Sequence, residues 1–401
     1  MDKLILVTGA TGYIASRLIP RLLEAGYRVR ATARDPFRLT GRAWFDKIEV
    51  IQADVSSSST LVHALDGVHT AYYLIHNMSA GQGYTSLEID SARTFAKAAE
   101  QAGIEHIIYL GGLADPEQHI APHMRSRIET GKILREGTVP VTEFRAGVIV
   151  GSGSISFEMI RFMTELFPVV PGPVWMGNKS QPIAIQNVID YLIAALENKN
   201  GRNGVFEIGG PEIYTYSDLM LRYAKTRGLT RRVFPLPGIP VGFMAFGVGL
   251  MTPVPYPIAH ALIEGLSADS IVQHSEALQI FSNVKLIDFD TAAKNALQKT
   301  HPDHIERIWS DGKPGFEFLK HEGCFILHNT STNPSPPMGE RPGVRGEYQT
   351  PFGQLWIEQD HISQTFFFSP RGLPGFLYWY LLYPVHWLRF HNLFRKIENP
   401  S

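Results

Sequence analysis

A glycine-rich turn between an apolar strand and a helix constrains the fold of this chain more than any other feature. Residues 8–14 read Thr-Gly-Ala-Thr-Gly-Tyr-Ile, and they follow the buried-type run Leu4–Val7. Gly9 and Gly12 carry no Cβ that would block a close approach to the backbone, and the helix N-terminus behind them offers free N–H groups to an anion. The pattern therefore predicts a dinucleotide-binding turn rather than an ordinary strand–helix connection. The residues predicted to contact the cofactor here are Gly9, Ala10, Thr11, Gly12, Tyr13 and Ile14.

Strand-like runs alternate with helical patterns through the first part of the chain, which predicts an α/β fold with a doubly wound, parallel Rossmann sheet. The predicted strands are Leu4–Thr8, Arg28–Ala33, Ile48–Ala53, Thr70–His76, His106–Leu110 and Val141–Arg145. The predicted helices are Gly12–Ala25, Leu87–Gln101, Met124–Glu136, Ser156–Leu166, Gln186–Glu197 and Tyr216–Thr226. A proline-rich stretch from 235 to 257 indicates a looser, smaller lobe on the substrate side.

The glycine motif, with four further segments, resembles the atypical and extended short-chain dehydrogenase/reductases, which are NAD(P)-binding Rossmann proteins of the NmrA- and epimerase-like kind. The segments are Ala71–His76, Tyr109–Leu113, Phe157–Arg161 and Phe206–Pro211. Ala15 departs from the third glycine of that group, but alanine is small enough for the helix to pack on the strand. The resemblance is to a bacterial subgroup with an added C-terminal domain of unknown function and START-like type.

This resemblance implies three parts of the chain. They are a Rossmann domain at 1–155, a substrate-side lobe at 156–315 and a remnant of the START-like domain at 316–401. Residues 329–351 are rich in Pro, Gly, Ser and Thr and lack periodicity, so we expect a disordered linker there. Since the segments around it are short for such a domain, we expect an incomplete α+β unit that closes no core of its own.

The end of the second strand decides between the two nicotinamide cofactors. An NAD enzyme places an acidic residue there, whereas this chain has Arg34 followed by Asp35. Arg34 can clamp a 2′-phosphate, and Arg38 can add charge, so NADP(H) is preferred over NAD(H). The alternative is a solvated surface arginine paired with Asp35.

Three further strand ends supply predicted cofactor residues. Asp54 and Val55 resemble the adenine-contacting pair of the family, although Asp54 could instead cap the next helix. Leu74, Ile75 and His76 end the fourth strand, where ligands of open α/β sheets collect. Gly111 and Gly112 occupy the position at which the superfamily carries its substrate-orienting serine.

The catalytic Tyr-x-x-x-Lys pair of the superfamily corresponds to His123 and Arg127. The spacing places both on one helix face. His123 could act as a general acid near neutral pH, with Arg127 binding ribose hydroxyls and lowering the pKa of His123. The alternative is a histidine that only caps or borders the helix.

Composition excludes several function classes. The 401 residues carry a formal net charge of −1, so no charge imbalance points to nucleic acid. Cys324 is the single cysteine, so a disulfide framework is excluded, and no metal site is predicted. His301-Pro302-Asp303-His304 resembles a metal cluster only superficially, because proline resists the helical geometry that would converge its side chains. No signal peptide is apparent, and a cytoplasmic location is expected.

The apolar tail at 376–388 is shorter than the roughly 17 residues that a spanning helix needs. We expect a helix that packs across a sheet, with a weak peripheral membrane contact as the alternative.

The function predicted from these features is that of an NADPH-dependent oxidoreductase acting on a small apolar substrate. Trp175, Phe157 and Phe162 would suit its pocket. A non-catalytic NAD(P)H-binding regulator or complex-associated subunit, such as the accessory subunit of complex I, is the first alternative, because the usual Tyr, Lys and Ser are replaced. An NAD-dependent epimerase or dehydratase is the second.

Overall fold

The fold is described from a computed structural model. It describes residues 3–40, 42–76, 84–118, 120–251, 256–298, 319–321, 324–330, 344–359 and 363–398. In chain order the strands are β1 (Leu4–Val7), β2 (Arg28–Ala33), β3 (Glu49–Gln52), β4 (Thr70–Tyr73), β5 (His106–Gly112), β6 (Val141–Ala146), β7 (Ile149–Val150), β8 (Val169–Gly172), β9 (Lys179–Ser180), β10 (Ile183–Ala184), β11 (Val205–Ile208), β12 (Tyr214–Thr215), β13 (Arg232–Pro235), β14 (Leu319–His321), β15 (Cys324–Thr330), β16 (Val344–Thr350), β17 (Gly353–Gln359) and β18 (Ser363–Pro370). The helices are α1 (Tyr13–Glu24), α2 (Ser58–Leu65), α3 (Tyr84–Gln101), α4 (Pro122–Glu136), α5 (Ile155–Leu166), α6 (Ile185–Glu197), α7 (Tyr216–Arg227), α8 (Val241–Met251), α9 (Tyr256–Gly265), α10 (Glu276–Ile280), α11 (Phe289–Gln298) and α12 (Gly372–Glu398).

The central sheet has seven strands in the order β11-β6-β5-β4-β1-β2-β3, and every pair in it is parallel. Side chains alternate between its faces, so Ile5 and Val7 pack with α1 and α6 while Leu4 and Leu6 pack with α2, α3 and α4. Both faces are covered, which is why β1, β4 and β5 are buried along their whole length. The predicted doubly wound Rossmann sheet is confirmed.

The strand order reverses between β1 and β4. At such a point the connections leave in opposite directions and open a crevice at the carboxyl ends of the strands, where ligands of open α/β sheets bind. The crevice therefore lies beside residues 8–14, 74–76 and 111–112, which follow or end β1, β4 and β5.

The substrate-side lobe combines helices with short strand pairs. β7 pairs with β10 and β8 with β13 in parallel, while β9 and β12 are antiparallel. The proline-rich stretch predicted to be loose contains α8 and the start of α9, and the two helices pack against each other. Pro240 directly precedes α8, and Pro257 is the second residue of α9, positions where the missing N–H costs the helix no hydrogen bond.

The C-terminal residues form an antiparallel sheet in the order β14-β15-β18-β17-β16, with α12 packed across it. The expected linker at 329–351 is therefore wrong at both ends, because Asn329 and Thr330 belong to β15 and 344–350 form β16. Residues 331–343 lie outside the described residues. β16 is an edge strand held by backbone pairing to β17, so its composition carries little apolar signal. The START-like type stays a prediction.

The C-terminal unit shares its core with the rest of the molecule. Phe162 and Leu166 of α5 are buried against Phe325 and Phe376, and Phe325 stacks on Trp379 with ring centroids 5.1 Å apart. The expectation that the segment closes no core of its own stays a prediction. Within the described residues, no helix has both the length and the apolar character required to cross a bilayer.

Candidate functional site

The glycine turn folds tightly against the neighbouring strand end. Gly9 has φ +65°, and a Cβ added there would lie 2.9 Å from the carbonyl oxygen of Leu74 and 3.3 Å from Cγ1 of Ile75. Thr8 also holds the turn against the end of β4, since its Oγ1 donates to the Tyr72 carbonyl and accepts from the Leu74 N–H. Gly9 is thus required by the packing of the chain itself as well as by its left-handed backbone.

Gly12 leaves the N-terminus of α1 open. It is the residue that precedes the helix, its N–H donates to the Gly9 carbonyl at 2.8 Å, and it has no side chain to cap the first turn. The first turn also contains no acidic residue. The N–H groups and the positive end of the helix dipole can therefore meet an external anion.

The remaining residues of the predicted turn play different parts. Ala10 is fully buried, and its N–H donates to the Thr32 carbonyl, so it joins β1 to β2 rather than facing the crevice. Tyr13 packs its hydroxyl against Gly151, leaving no room there for a Cβ. The guanidinium of Arg17 lies 3.9 Å from the centroid of the Tyr13 ring and donates to the Ser152 carbonyl. Sequence reasoning missed Arg17, although its position one turn after Tyr13 was a usable signal.

Arg34 is exposed at the end of β2, and its expected partner is engaged elsewhere. The Asp35 carboxylate accepts the Phe37 N–H and begins a short 3-10 helix at Pro36–Leu39. Within the described part of the chain the Arg34 guanidinium forms no ion pair. The charge of Arg34 helps to lower the pKa of Asp54.

Asp54 closes a turn instead of capping α2. Its Oδ1 accepts from the N–H and the hydroxyl of Ser56, and the residue that precedes α2 is Ser57. Partial burial acts to raise the pKa of Asp54, but the hydrogen bonds from Ser56 and the charge of Arg34 outweigh it and the pKa is lowered. Val55 is buried in the core beside Leu61.

The ends of β4 and β5 bring His76 close to the predicted catalytic pair. Burial and then the charge of Arg127 hold the pKa of His76 well below its usual value, with a smaller contribution from His123. The His76 ring lies edge-on to Tyr109 at 6.4 Å between centroids. Tyr109 donates to the backbone carbonyl of Arg127, and burial raises its pKa. No local sequence pattern predicts this contact of Tyr109 with α4, because the two residues lie on different elements.

Gly112 allows α4 to approach the sheet. A Cβ there would lie 2.6 Å from Cε of Met124 and 3.2 Å from Cδ of Arg127. Gly112, at the position where the family resemblance predicts a replaced serine, therefore leaves room for the Arg127 side chain. Gly111 packs similarly against the Tyr109 ring.

His123 is the second residue of α4, four residues before Arg127, so the predicted one-face arrangement is confirmed. The helix begins after Ala121 without a side-chain cap, which excludes the capping role. The imidazole is 3 % exposed and presses on Gly265 at the end of α9, where a Cβ would lie 2.7 Å from Cε1.

The protonation state of His123 follows from this burial. Burial first, and then the nearby Arg127 charge, lower its pKa to about 3. The predicted effect of Arg127 is confirmed, but the expected titration near neutrality is wrong, because the buried site disfavours the cation. Nδ1 is buried without a hydrogen-bond partner among the described residues.

An apolar cavity of about 80 Å³ lies in the substrate-side lobe, next to the end of α9 whose Gly265 contacts His123. It is lined by five methionines (Met159, Met163, Met176, Met220 and Met244) and by Val148, Ser156, Ile160, Val170, Pro171, Trp175, Tyr216, Val248, Leu262, Ile263 and Leu266. Of the three aromatic residues expected here, Trp175 lines the cavity. Phe157 is buried in the adjoining core, and Phe162 faces the C-terminal sheet.

The described residues contain no group of three or more His, Cys, Asp or Glu side chains arranged to hold a metal ion. Residues 301–304, which were considered for that role, lie outside the described residues.

Comparison with known proteins agrees with this architecture. The model of the NmrA-like family matches residues 1–238. The chain belongs to the NmrA-like family. It is 28 % identical over 273 residues to (4-alkanoyl-5-oxo-2,5-dihydrofuran-3-yl)methyl phosphate reductase of Streptomyces griseus, covering 65 % of this chain and 85 % of that protein.

Two further similarities span comparable lengths of the NmrA-like chain. The photosystem II assembly factor Ycf39 of Cyanophora paradoxa is 25 % identical over 244 residues, which is 58 % of this chain and 71 % of that protein. The triphenylmethane reductase of Citrobacter sp., solved with NADP(H), superposes with a TM-score of 0.59 at 20 % identity, covering 73 % of this chain and 99 % of that one. At that identity the superposition shows a shared fold.

Proposed function

We propose that the protein binds NADP(H) across the carboxyl edge of its central sheet and reduces a polarised double bond, such as a carbonyl, in a mostly apolar substrate. The observation that carries this proposal is the uncapped N-terminus of α1 behind the tight Gly9–Gly12 turn, at the switch point of the sheet and one strand from the exposed Arg34. The anion site at the N-terminus of α1 and the 2′-phosphate clamp at Arg34 would then lie on adjacent strands.

The residues fit each part of such a cofactor. The α1 N-terminus would hold the pyrophosphate, and Arg34 would pair with the 2′-phosphate through its planar fork of donors. Asp54 would accept from the adenine amine through the oxygen that Ser56 does not use. The nicotinamide end would lie toward Gly112 and His76, where Arg127 can bind the ribose hydroxyls.

Bound NADPH would supply a hydride and become NADP⁺, while the substrate oxygen takes up one proton. His123 is neutral at physiological pH, so its role is to donate a hydrogen bond to that oxygen rather than to act as an imidazolium acid. The Arg127 charge stabilises negative charge that develops on the oxygen. Water supplies the proton.

The cavity supports an apolar substrate. Leu262, Ile263 and Leu266 of α9 line it, and Gly265 of the same turn touches His123. A substrate whose apolar part fills the cavity would therefore place its polar end near the predicted reacting centre. The furanone phosphate reductase and the triphenylmethane reductase support a reductase by analogy of family and fold.

A second function is supported by the same residues. His123 is sealed by Gly265, and no Tyr-x-x-x-Lys pair is present at the corresponding positions, which favours a protein that binds NAD(P)H without turnover. Similarity to an assembly factor agrees with it. A cytoplasmic location remains a prediction from sequence, and no nucleic-acid partner is proposed.

Single-turnover oxidation of NADPH with a panel of carbonyl compounds tests the reductase. Between about pH 6 and 8 the rate should show no ionisation near the ordinary histidine pKa, because His123 stays neutral there. His123→Ala should slow the step by about a hundredfold, the usual loss for one donor to a developing oxyanion. His63→Ala, an exposed histidine of α2, is the matched control.

A pH step near the ordinary histidine pKa that disappears in His123→Ala would contradict the neutral role. Tight NADPH binding without oxidation by any compound of the panel would favour the non-catalytic function.

A further inference from the structure

Helix α8 has an unusual composition for a helix at a protein surface. Val241–Met251 contains only Val, Gly, Phe, Met, Ala and Leu. The absence of charge extends well beyond the helix, since no Asp, Glu, Lys or Arg occurs from Val233 to Ile263. A helix that is apolar on every side is normally buried in protein or in lipid.

Among the side chains of α8 that the structure describes, the buried ones lie on one side of the helix. Met244 and Val248 face inward and line the apolar cavity, and Ala245 is fully buried beside them. On the opposite side Phe243 and Phe246, three residues apart, are 71 % and 61 % exposed. α8 is therefore a thin apolar wall between the cavity and the outside of the molecule.

The sequence of α8 is also poorly suited to water. Gly242, Gly247 and Gly249 each weaken a helix in water. Glycine loses the most backbone entropy, and it exposes the backbone to water, which competes for its hydrogen bonds. In an apolar medium that competition is absent, and glycine is more frequent in helices of membranes than in those of soluble proteins.

We propose that α8 docks on the surface of a lipid bilayer, and that the cavity behind it takes the apolar part, next to the polar end, of a lipid-like substrate with one reducible group. The statement about the substrate rests on the reductase proposed above; the docking surface does not. α8 has 11 residues, too short to span a bilayer, so it lies in the interface with Phe243 and Phe246 inserted.

A bilayer fits this surface better than a protein partner does. Interfaces between proteins keep charged residues at a polar rim, whereas the hydrocarbon region excludes them, and the stretch around α8 has none. Continuity with the cavity argues the same way. A protein seated on Phe243 and Phe246 would cover the wall of the cavity, while lipid in that place is the source of the substrate.

Helix α9 indicates how the substrate would be oriented in the cavity. Ile263 and Leu266 of α9 line the cavity, and Gly265 between them touches His123. The apolar chain would extend from this point toward α8, with the polar end at His123.

Co-sedimentation with vesicles tests the docking surface. The full chain should bind phosphatidylcholine vesicles, and the double variant Phe243→Glu/Phe246→Glu should lose at least about tenfold in partitioning, because two carboxylates would enter the apolar region. Both side chains are exposed, so the variant should keep its thermal unfolding midpoint and its NADPH affinity. Phe37→Glu, at another exposed phenylalanine, is the matched control and should bind as the wild type does.

Anionic lipid distinguishes α8 from α12, where the contact through 376–388 remains the other proposed membrane surface. α12 exposes Leu377 and Leu381, and the later part of its sequence contains Arg389, Arg395 and Lys396. Docking through uncharged α8 should change little when phosphatidylglycerol is added. Binding that requires phosphatidylglycerol and is lost in Leu381→Glu alone, absence of vesicle binding, or a dimer that the double variant dissociates would each overturn the proposal.

Trp175 gives a separate test of the substrate class, because it lines the cavity. Saturated aldehydes of increasing chain length should shift the tryptophan fluorescence at progressively lower concentration, and Trp175→Phe should abolish most of the shift. Equal affinity for short and long chains would overturn the lipid-like substrate. Binding of long chains without NADPH oxidation would instead contradict the reductase and leave both the cavity and the docking surface supported.

Discussion

At the scale of single residues, a comparison of Gly9 in the nucleotide turn with Gly67 elsewhere in the chain distinguishes the effect of backbone strain from that of packing. Gly9 and Gly67 have nearly the same left-handed φ, +65° and +68°. A Cβ on Gly9 would meet the Leu74 carbonyl at 2.9 Å, whereas a Cβ on Gly67 would meet nothing within 4 Å. The difference between the two sites is therefore the contact with β4.

We predict that Gly9→Ala weakens NADPH binding by about tenfold or more and destabilises the fold beyond the cost of the left-handed backbone, because the turn must move away from β4. Gly67→Ala should cost about 1 kcal/mol in stability and leave NADPH affinity unchanged. Calorimetric titration and urea unfolding of both variants measure the two effects. Equal losses of affinity would show that the contact with β4 does not position the turn.

The residue scale also shows where sequence reasoning stops. Spacing alone placed His123 and Arg127 on one helix face, since helix geometry is local. The lowered pKa of His123 depends on Gly265, which is 142 positions later in the chain (265 minus 123), and no local pattern contains that contact. The exposure of Arg34 could be predicted from its position after β2. The hydrogen bond of Asp35 with the Phe37 N–H could not.

At the scale of elements, α5 joins the cavity to the C-terminal sheet. Its Met159 and Met163 line the cavity, and on another side its Glu165 is 1 % exposed. Glu165 Oε1 accepts from the Tyr223 hydroxyl at 2.9 Å and from Nε of Arg227 at 2.8 Å. Its Oε2 accepts the N–H of Gly372, the first residue of α12, at 2.6 Å. One buried carboxylate of α5 thus binds three donors, two from α7 and one from the start of α12.

We predict that Glu165→Gln costs about 3 to 5 kcal/mol in the free energy of unfolding, because the amide cannot accept from all three donors and the Arg227 guanidinium, 19 % exposed, loses its carboxylate partner. Asp290→Asn is the matched control: its pair with Arg222 is half-exposed and should cost about 1 kcal/mol or less. Urea unfolding of both variants checks the difference. A similar small cost for both would mean that Glu165 does not secure α12.

Elements differed in how well the sequence predicted them. The central strands β1 and β5 were found because they are buried on both faces and read as mostly apolar runs. β2 was predicted with its observed bounds. Edge strand β16 was taken for a linker because backbone pairing to β17 needs few apolar side chains. The proline-rich stretch concealed α8 and α9, since proline at a helix start resembles proline in a loop.

At the scale of the whole molecule, the nucleotide edge comes next to the cavity where His123 contacts Gly265, which lies between the cavity residues Ile263 and Leu266. The first belongs to the sheet and the second to the substrate-side lobe. The C-terminal sheet lies against α5, the cavity wall that carries Met159 and Met163. Loss of that sheet should therefore disturb the cavity before it disturbs the nucleotide edge.

Titration of NADPH and NADH into the wild type and Arg34→Ala, with the exposed Arg93→Ala as control, tests the central claim most directly. Arg34 is free of ion pairs in the described residues and lies at the β2 end, so the wild type should prefer NADPH by tenfold or more, corresponding to about 1.5 to 3 kcal/mol for a charge-assisted contact. Arg34→Ala should abolish this preference and leave NADH affinity unchanged, while Arg93→Ala keeps it. Equal affinities for the two cofactors in the wild type, or no binding of either, would contradict the account.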